Sequence, residues 1–155
     1  MMKRTGLLGL LLIILLLPSC KKNTDIVSYH TFPNRSWYRY SIQKFVIPIK
    51  NIEKPYDVSF FARFTQEYPF DNLNFNMVMT TPSGEERIME YPFTIKRDGH
   101  FTGTFVNDSC EASVCLKKGI QFDKAGILII EIENLVPRLQ TPGLLGVGIR
   151  LTPKP

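Results

Sequence analysis

Apolar and polar residues alternate along several stretches of this chain, and a side-chain period of two is that of a half-buried β-strand. Tyr56, Val58, Phe60, Ala62 and Phe64 share one face, against Asp57, Ser59, Arg63 and Thr65 on the other. Leu73, Phe75, Met77 and Met79 alternate with Asn72, Asn74, Asn76 and Thr80. Leu145, Val147, Ile149 and Leu151 alternate with Gly146, Gly148 and Arg150. The run Ile127 to Ile132 is apolar on both faces until Glu131, which suits a strand in the middle of a sheet. Turn chemistry separates these runs at Pro55, Tyr68-Pro69, Pro82-Ser83-Gly84, Asp98-Gly99 and Pro142-Gly143. The spacing between turns is about 10 to 15 residues, as in antiparallel sandwiches. A helical stripe is missing; at most one helical turn fits between Glu131 and Leu139. The expected fold is all-β: a single antiparallel β-sandwich of about eight strands, jelly-roll-like.

The first residues obey different rules. Lys3 and Arg4 precede an apolar run from Gly6 to Leu17, which ends at Leu17-Pro18-Ser19-Cys20. That run is shorter than the roughly 20 apolar residues a spanning helix needs, and it matches the core of a secretory signal peptide. A thiol at the cleavage point accepts a diacylglyceryl group through a thioether, and cleavage then leaves Cys20 as the acylated N-terminus. Each buried methylene adds about 0.8 kcal/mol of membrane affinity, so two or three chains anchor the protein permanently. The alternative is an ordinary signal peptide with a chance cysteine. The expected organisation is a signal peptide over 1–19, a lipidated N-terminus with tether and lead-in strand over 20–35, and the sandwich over 36–155. The implied partner is a membrane, reached through the lipid.

Composition narrows the function further. Lys3 and Arg4 leave with the signal, so of 19 basic side chains 17 remain against 14 acidic ones, a net charge of +3. Lysines and arginines form no block longer than two, so nucleic acid is not an expected partner. Lys21 and Lys22 follow the lipid directly and lie near anionic headgroups or along a solvated tether. Cys110 and Cys115 read as a disulfide pair in an oxidising compartment. Five residues along a straight strand span roughly 17 Å, so that pairing requires the chain to turn back across Glu111-Ala112-Ser113. Two free thiols, or half of a metal site, are the other readings. With His30 and His100 as the only histidines and no second cysteine pair, neither metal nor any other cofactor is expected.

Catalysis has little to build on. A Gly-x-Ser-x-Gly motif and a phosphate-cradling glycine loop are both missing. Glu131 and Glu133 sit on one strand face about 7 Å apart, a spacing any i, i+2 carboxylate pair shares with glycosidase pairs. Glu85 and Glu86 read as a solvated hairpin tip. Aromatic residues offer more: Trp37, Tyr38 and Tyr40 cluster, and Tyr68, Phe70, Tyr91 and Phe93 flank turns. Most belong to the core of a sandwich, but Trp37 and Tyr68 lie at changes of chain direction and are candidate contact residues. Arg63 either pairs with Glu67 or meets a partner. Asn72, with Asn74 and Asn76, forms a polar, uncharged face that is either solvated or a contact surface.

The segment from Arg63 through Tyr68-Pro69-Phe70 to Asn72-Leu73 resembles the most distinctive stretch of the gliding-motility lipoprotein family of the H type in Bacteroidetes. The resemblance continues through Pro82-Ser83-Gly84, Asp98-Gly99, Phe101, Gly103, Phe122, Gly126 and Leu144 to Ile149, covering about residues 37 to 151. Val136-Pro137-Arg138 departs from the Met-Arg dipeptide of the family, and the segment with Cys110 and Cys115 is particular to this sequence. The resemblance implies an envelope lipoprotein without enzymatic activity, associated with proteins of a gliding or secretion apparatus. Surface-displayed lipoproteins of such bacteria carry acidic residues after the cysteine. Lys21-Lys22-Asn23 lacks them, which implies the periplasmic face of the outer membrane. Arg63, Tyr68, Asn72 and Trp37 are the expected partner-binding residues. A glycan-binding lipoprotein is the alternative, and a small-molecule ligand is not expected otherwise.

Overall fold

The computed structural model describes residues 24–155; the signal-peptide reading of 1–19 and the lipidation reading of Cys20 lie outside them. The described residues form thirteen strands and no helix. They are β1 (Ile26–Thr31), β2 (Ser36–Tyr38), β3 (Gln43–Ile49), β4 (Tyr56–Phe64), β5 (Phe75–Thr80), β6 (Glu86–Tyr91), β7 (Lys96–Arg97), β8 (His100–Phe101), β9 (Thr104–Val106), β10 (Ser109–Ile120), β11 (Gly126–Asn134), β12 (Gln140–Pro142) and β13 (Leu144–Pro153). Five strands hydrogen-bond in the order β1-β13-β4-β10-β9 and four in the order β3-β11-β5-β6. Two-stranded ribbons β12-β2 and β7-β8 complete the set. All pairings are antiparallel.

Thirteen strands stand where about eight are expected. The surplus is β2, β7, β8, β9 and β12, each of two or three residues. Pieces this short carry too few residues for alternation to show. The nine-residue β4 follows its pattern, with Tyr56, Val58, Phe60, Ala62 and Phe64 all buried. β11 lies between β3 and β5, in agreement with its two-sided apolar run. It continues to Asn134, so Glu131 starts no helical turn.

The inward faces of the two larger sheets close on one core. Phe60 of β4 packs on Phe75 of β5 with ring centroids 4.4 Å apart, and Phe93 meets both rings edge-on. β1 is the lead-in strand expected within 20–35, and it is bonded to β13 along all six of its residues. It thus belongs to the five-stranded sheet although it precedes residue 36.

Cys110 and Cys115 correct the disulfide expectation. Both lie on β10, where residues 110 to 115 pair in unbroken register with Phe64 to Ser59 of β4. Glu111-Ala112-Ser113 is therefore extended, and an odd separation puts the two thiols on opposite faces of the sheet. Both cysteines are free, Cys110 buried and Cys115 exposed.

Candidate functional site

β1 and β4 are each antiparallel to β13, so they run in the same direction, and β10 returns against them. The connections 32–42, 65–74, 107–108 and 135–143 consequently gather at one end of the two sheets, opposite the end where β1 begins. Tyr40 is 76% exposed there, Leu139 71%, Ile42 58% and Tyr38 49%, an apolar and aromatic cluster on the rim. The Arg39 amide donates to the Leu139 carbonyl (3.0 Å) and ties two of the connections together. Between them open two depressions. One, of about 480 Å³, lies between Arg35, Gln66 and Glu67 on one side and Asn107 and Asp108 on the other. The second, of about 260 Å³, lies between Phe70, Asp71 and Asn74 and the turn with Val136 and Pro137. The Asn74 Oδ1 atom beside it is buried and has no hydrogen-bond partner among the described residues.

Of the sequence-derived candidates, Trp37 and Tyr68 reach this end without forming its surface, whereas Asn72 is exposed and lines the second depression. Trp37 is fully buried: its indole stacks on Phe32 (5.6 Å) and Nε1 donates to the Ser41 carbonyl (2.7 Å). Tyr68 is also fully buried, against Phe64 (4.8 Å) and edge-on to Phe70 (5.7 Å), and its hydroxyl donates to the Asn72 carbonyl (2.9 Å). Burial pushes the Tyr68 phenol far above its ordinary range. Neither ring is therefore a contact platform; a change of chain direction exposed the backbone and left the large rings to be covered. Asn72 is exposed and bridges to Thr94, while Asn76 donates to Glu133 (3.3 Å), so the asparagine face is divided between solvent and cross-strand bonds.

Arg63 is an ion-pair residue, with Glu111 rather than Glu67. Its Nε donates to Glu111 Oε2 (3.0 Å), and Arg150 Nη2 donates to Oε1 of the same carboxylate (2.8 Å). Arg63 lies over the Tyr29 ring (4.9 Å) and Arg150 over the Phe61 ring (4.7 Å). Burial works to raise the Glu111 pKa, but the hydrogen bonds and charges of Arg150 and Arg63 outweigh it and hold the carboxyl below its ordinary value. This network covers the outer face of the five-stranded sheet. It escapes sequence reading because its members come from β1, β4, β10 and β13.

The titratable groups that would serve catalysis are dispersed. His30 sits edge-on to Phe45 (4.8 Å), and His100 is on the exposed β7–β8 hairpin. Glu131 pairs with Lys44 (3.2 Å) and Glu133 accepts from Asn76, so each carboxylate is engaged across strands. No group of three His, Cys, Asp or Glu among the described residues is placed to hold a metal ion.

Two antiparallel sheets over one aromatic core, with connections gathered around two depressions at one end, define an all-β layered domain. Its sequence relationship is specific. The profile of the family described as GldH lipoprotein matches residues 26–151, and the chain belongs to that family. It is 29% identical over 161 residues to the gliding motility lipoprotein GldH of Flavobacterium johnsoniae, with 98% of each chain covered. Among solved structures it is similar to dimeric latent PorU from Porphyromonas gingivalis, with a TM-score of 0.39 and 8% identity, over 84% of this chain and 13% of that one. It is also similar to the CBM35 of Cellvibrio japonicus Abf62, with a TM-score of 0.33 and 12% identity, over 80% and 92% of the two chains. Likenesses at these scores carry no functional inference.

Proposed function

We propose that this protein is a lipid-anchored, non-enzymatic assembly component of the gliding-motility machinery or a related envelope machine. Cys20 carries the acyl chains and holds the domain at the periplasmic face of the outer membrane. A jelly-roll-like sandwich stands on this anchor. Family membership over residues 26–151 is the observation that carries the reading. The geometry supports it: the tether enters at the start of β1, and Tyr38, Tyr40, Ile42 and Leu139 are exposed at the opposite end. A tethered domain searches in two dimensions, so a weak contact at that end gains from high effective concentration. The glycan-binding alternative loses Trp37 and Tyr68, which are buried.

Gene replacement in a gliding host tests the proposal. Removal of the gene abolishes spreading, and Cys20→Ala releases the protein from the outer-membrane fraction. Tyr38→Ser with Tyr40→Ser and Leu139→Ser abolishes spreading at normal protein level and normal fractionation. Normal spreading without the gene overturns the assembly role. Normal spreading of the triple variant overturns the assignment of the exposed end.

A further inference from the structure

We propose that β6 is a strand-accepting edge that takes an extended segment of a partner protein, one with an apolar residue flanked two positions away on each side by Lys or Arg. The proposal deepens the assembly reading, and its test involves no motility, so either can fail alone.

Sheet edges are ordinarily guarded by lysines, prolines, bulges, shortness or a covering element, because their unpaired N–H and C=O groups invite another strand. The other edges here carry such devices. β10 is unpaired on one side beyond Glu111, and there it bears Lys117, Lys118 and two register shifts, at Cys115/Lys117 and Lys117/Ile120. β3 carries Lys44 and Pro48, β9 has three residues, and β1 closes against β3 through His30 and Phe45. β6 differs. It is six residues in regular register with β5, its backbone bonded on that side only, with no Lys, Pro or bulge. Of its charged residues, Arg87 alternates to the other face and pairs with Glu85, which leaves Glu86 and Glu90. The Tyr91 hydroxyl donates to the Leu116 carbonyl of β10 (2.8 Å).

The side chains of this edge state what fits it. Ile88 is 68% exposed and pairs with Val78, in a row that continues through Glu131 to Lys44. Glu86 and Glu90 are on the same outer face, two residues to either side of Ile88. Both are exposed and form no ion pair among the described residues. An incoming strand extends the row with an apolar residue beside Ile88 and meets both carboxylates with cations. Acid–apolar–acid reads alike in both directions, so either strand polarity satisfies it. A second copy does not. Antiparallel β6–β6 pairing about Ile88 sets Glu86 against Glu90 twice, and directly opposed like charges are destabilising.

The test uses the full chain in detergent micelles and hydrogen exchange with a short synthetic peptide of the pattern Lys-Thr-Val-Thr-Lys. The expected result is saturable protection of the amides within residues 86–91, and binding about tenfold tighter than that of Glu-Thr-Val-Thr-Glu. Glu86→Lys with Glu90→Lys, exposed changes that leave the core alone, reverses the preference between the two peptides. Absence of protection, protection elsewhere, or a preference unmoved by the charge swap overturns the proposal. So does concentration-dependent protection of β6 without peptide, which identifies a second copy as the occupant.

Discussion

The Tyr29 and Phe61 rings lie parallel across Gly148, with centroids 5.7 Å apart and planes 7° from each other. Gly148 faces both residues in register, and a Cβ built on it would collide with the Phe61 ring. Gly146 does the same one row away, where a Cβ would meet the Tyr29 ring and the His30 carbonyl. The two glycines thus let an aromatic layer lie flat on the outer face of the sheet, where Arg63 and Arg150 cover it. Phe61 is 1% exposed although it points away from the main core.

Replacement of Gly148 by Ala should therefore destabilise the fold by about 2 kcal/mol or more, because the ring must move and uncover the sheet. Denaturant titration measures it. Ser113→Ala, at an exposed position of β10 in the same sheet, should change stability by less than about 0.5 kcal/mol. Equal effects of the two substitutions would contradict the packing role assigned to the glycine.

Glu111 gives the same face a pH dependence. Its folded-state pKa lies below the ordinary carboxylate value through its two arginine partners, against the raising effect of burial. A depressed carboxylate adds stability that is fully present above the unfolded pKa and is lost as pH falls through the folded one. Glu111→Gln should cost about 1 kcal/mol at neutral pH, given the partial exposure of the pair, and the cost should vanish under acid. Asp57 and Glu85 are lowered as well, chiefly by hydrogen bonds from Lys154 and Arg87, so the wild type keeps an acid limb of its own. The difference between the two proteins as a function of pH isolates Glu111; a difference independent of pH would remove its charge from the explanation.

The cysteines separate by reactivity. Burial pushes the Cys110 thiol up, partly offset by a backbone hydrogen bond at Gly103, so little thiolate forms at mildly basic pH. Cys115 is exposed. Maleimide labelling of the folded protein followed by peptide mapping should modify Cys115 and spare Cys110 until denaturant is added. Cys115→Ser should leave stability within about 0.5 kcal/mol of wild type. Loss of about 2 kcal/mol, as expected on opening a short disulfide loop, would mean that the two are bonded.

Four strands of six to ten residues were legible in this sequence because that much apolar patterning outweighs chance, whereas β10, the longest at twelve residues, was not. β4 and β5 bury the predicted faces, and β11 takes the central place its apolar run suggested. β13 buries Val147, Ile149 and Leu151 but leaves Leu145 half-buried at the register shift between Leu144 and Gly146. Short pieces such as β7 and β8 were not legible, since two residues have no period. Cys110 and Cys115 misled because compartment argues for pairing while strand geometry argues against it, and only the register with β4 decides. Trp37 and Tyr68 misled for a related reason: each stands at a turn, yet its ring folds back under the loop and its polar atom bonds a local carbonyl. The exposed end was half legible, in that the family-like segment from Arg63 to Leu73 leads into it, but the apolar residues on its rim are Tyr38, Tyr40, Ile42 and Leu139.

Gly143 explains why that segment and the later Thr141-Pro142-Gly143 turn belong together. Its φ is +78°, and a Cβ built on it would stand 2.6 Å from both the Cα and the N of Tyr68. The turn into β13 therefore rests directly on backbone, which, unlike a flexible side chain, has no easy way to yield. The Thr65 amide donates to the Gly143 carbonyl (2.9 Å), fixing the approach from the other side. Gly143→Ala must accept a left-handed backbone, at about 1 kcal/mol, and push the Tyr68 turn away in addition. The expected total is about 3 kcal/mol or more. The displacement should reach Trp37, since Thr141 pairs with it between β12 and β2. Trp37 is the single tryptophan of the chain, so its emission reads that region without interference. A red shift in folded Gly143→Ala protein is expected, while an unshifted spectrum with unchanged stability would show that the turn does not depend on this contact.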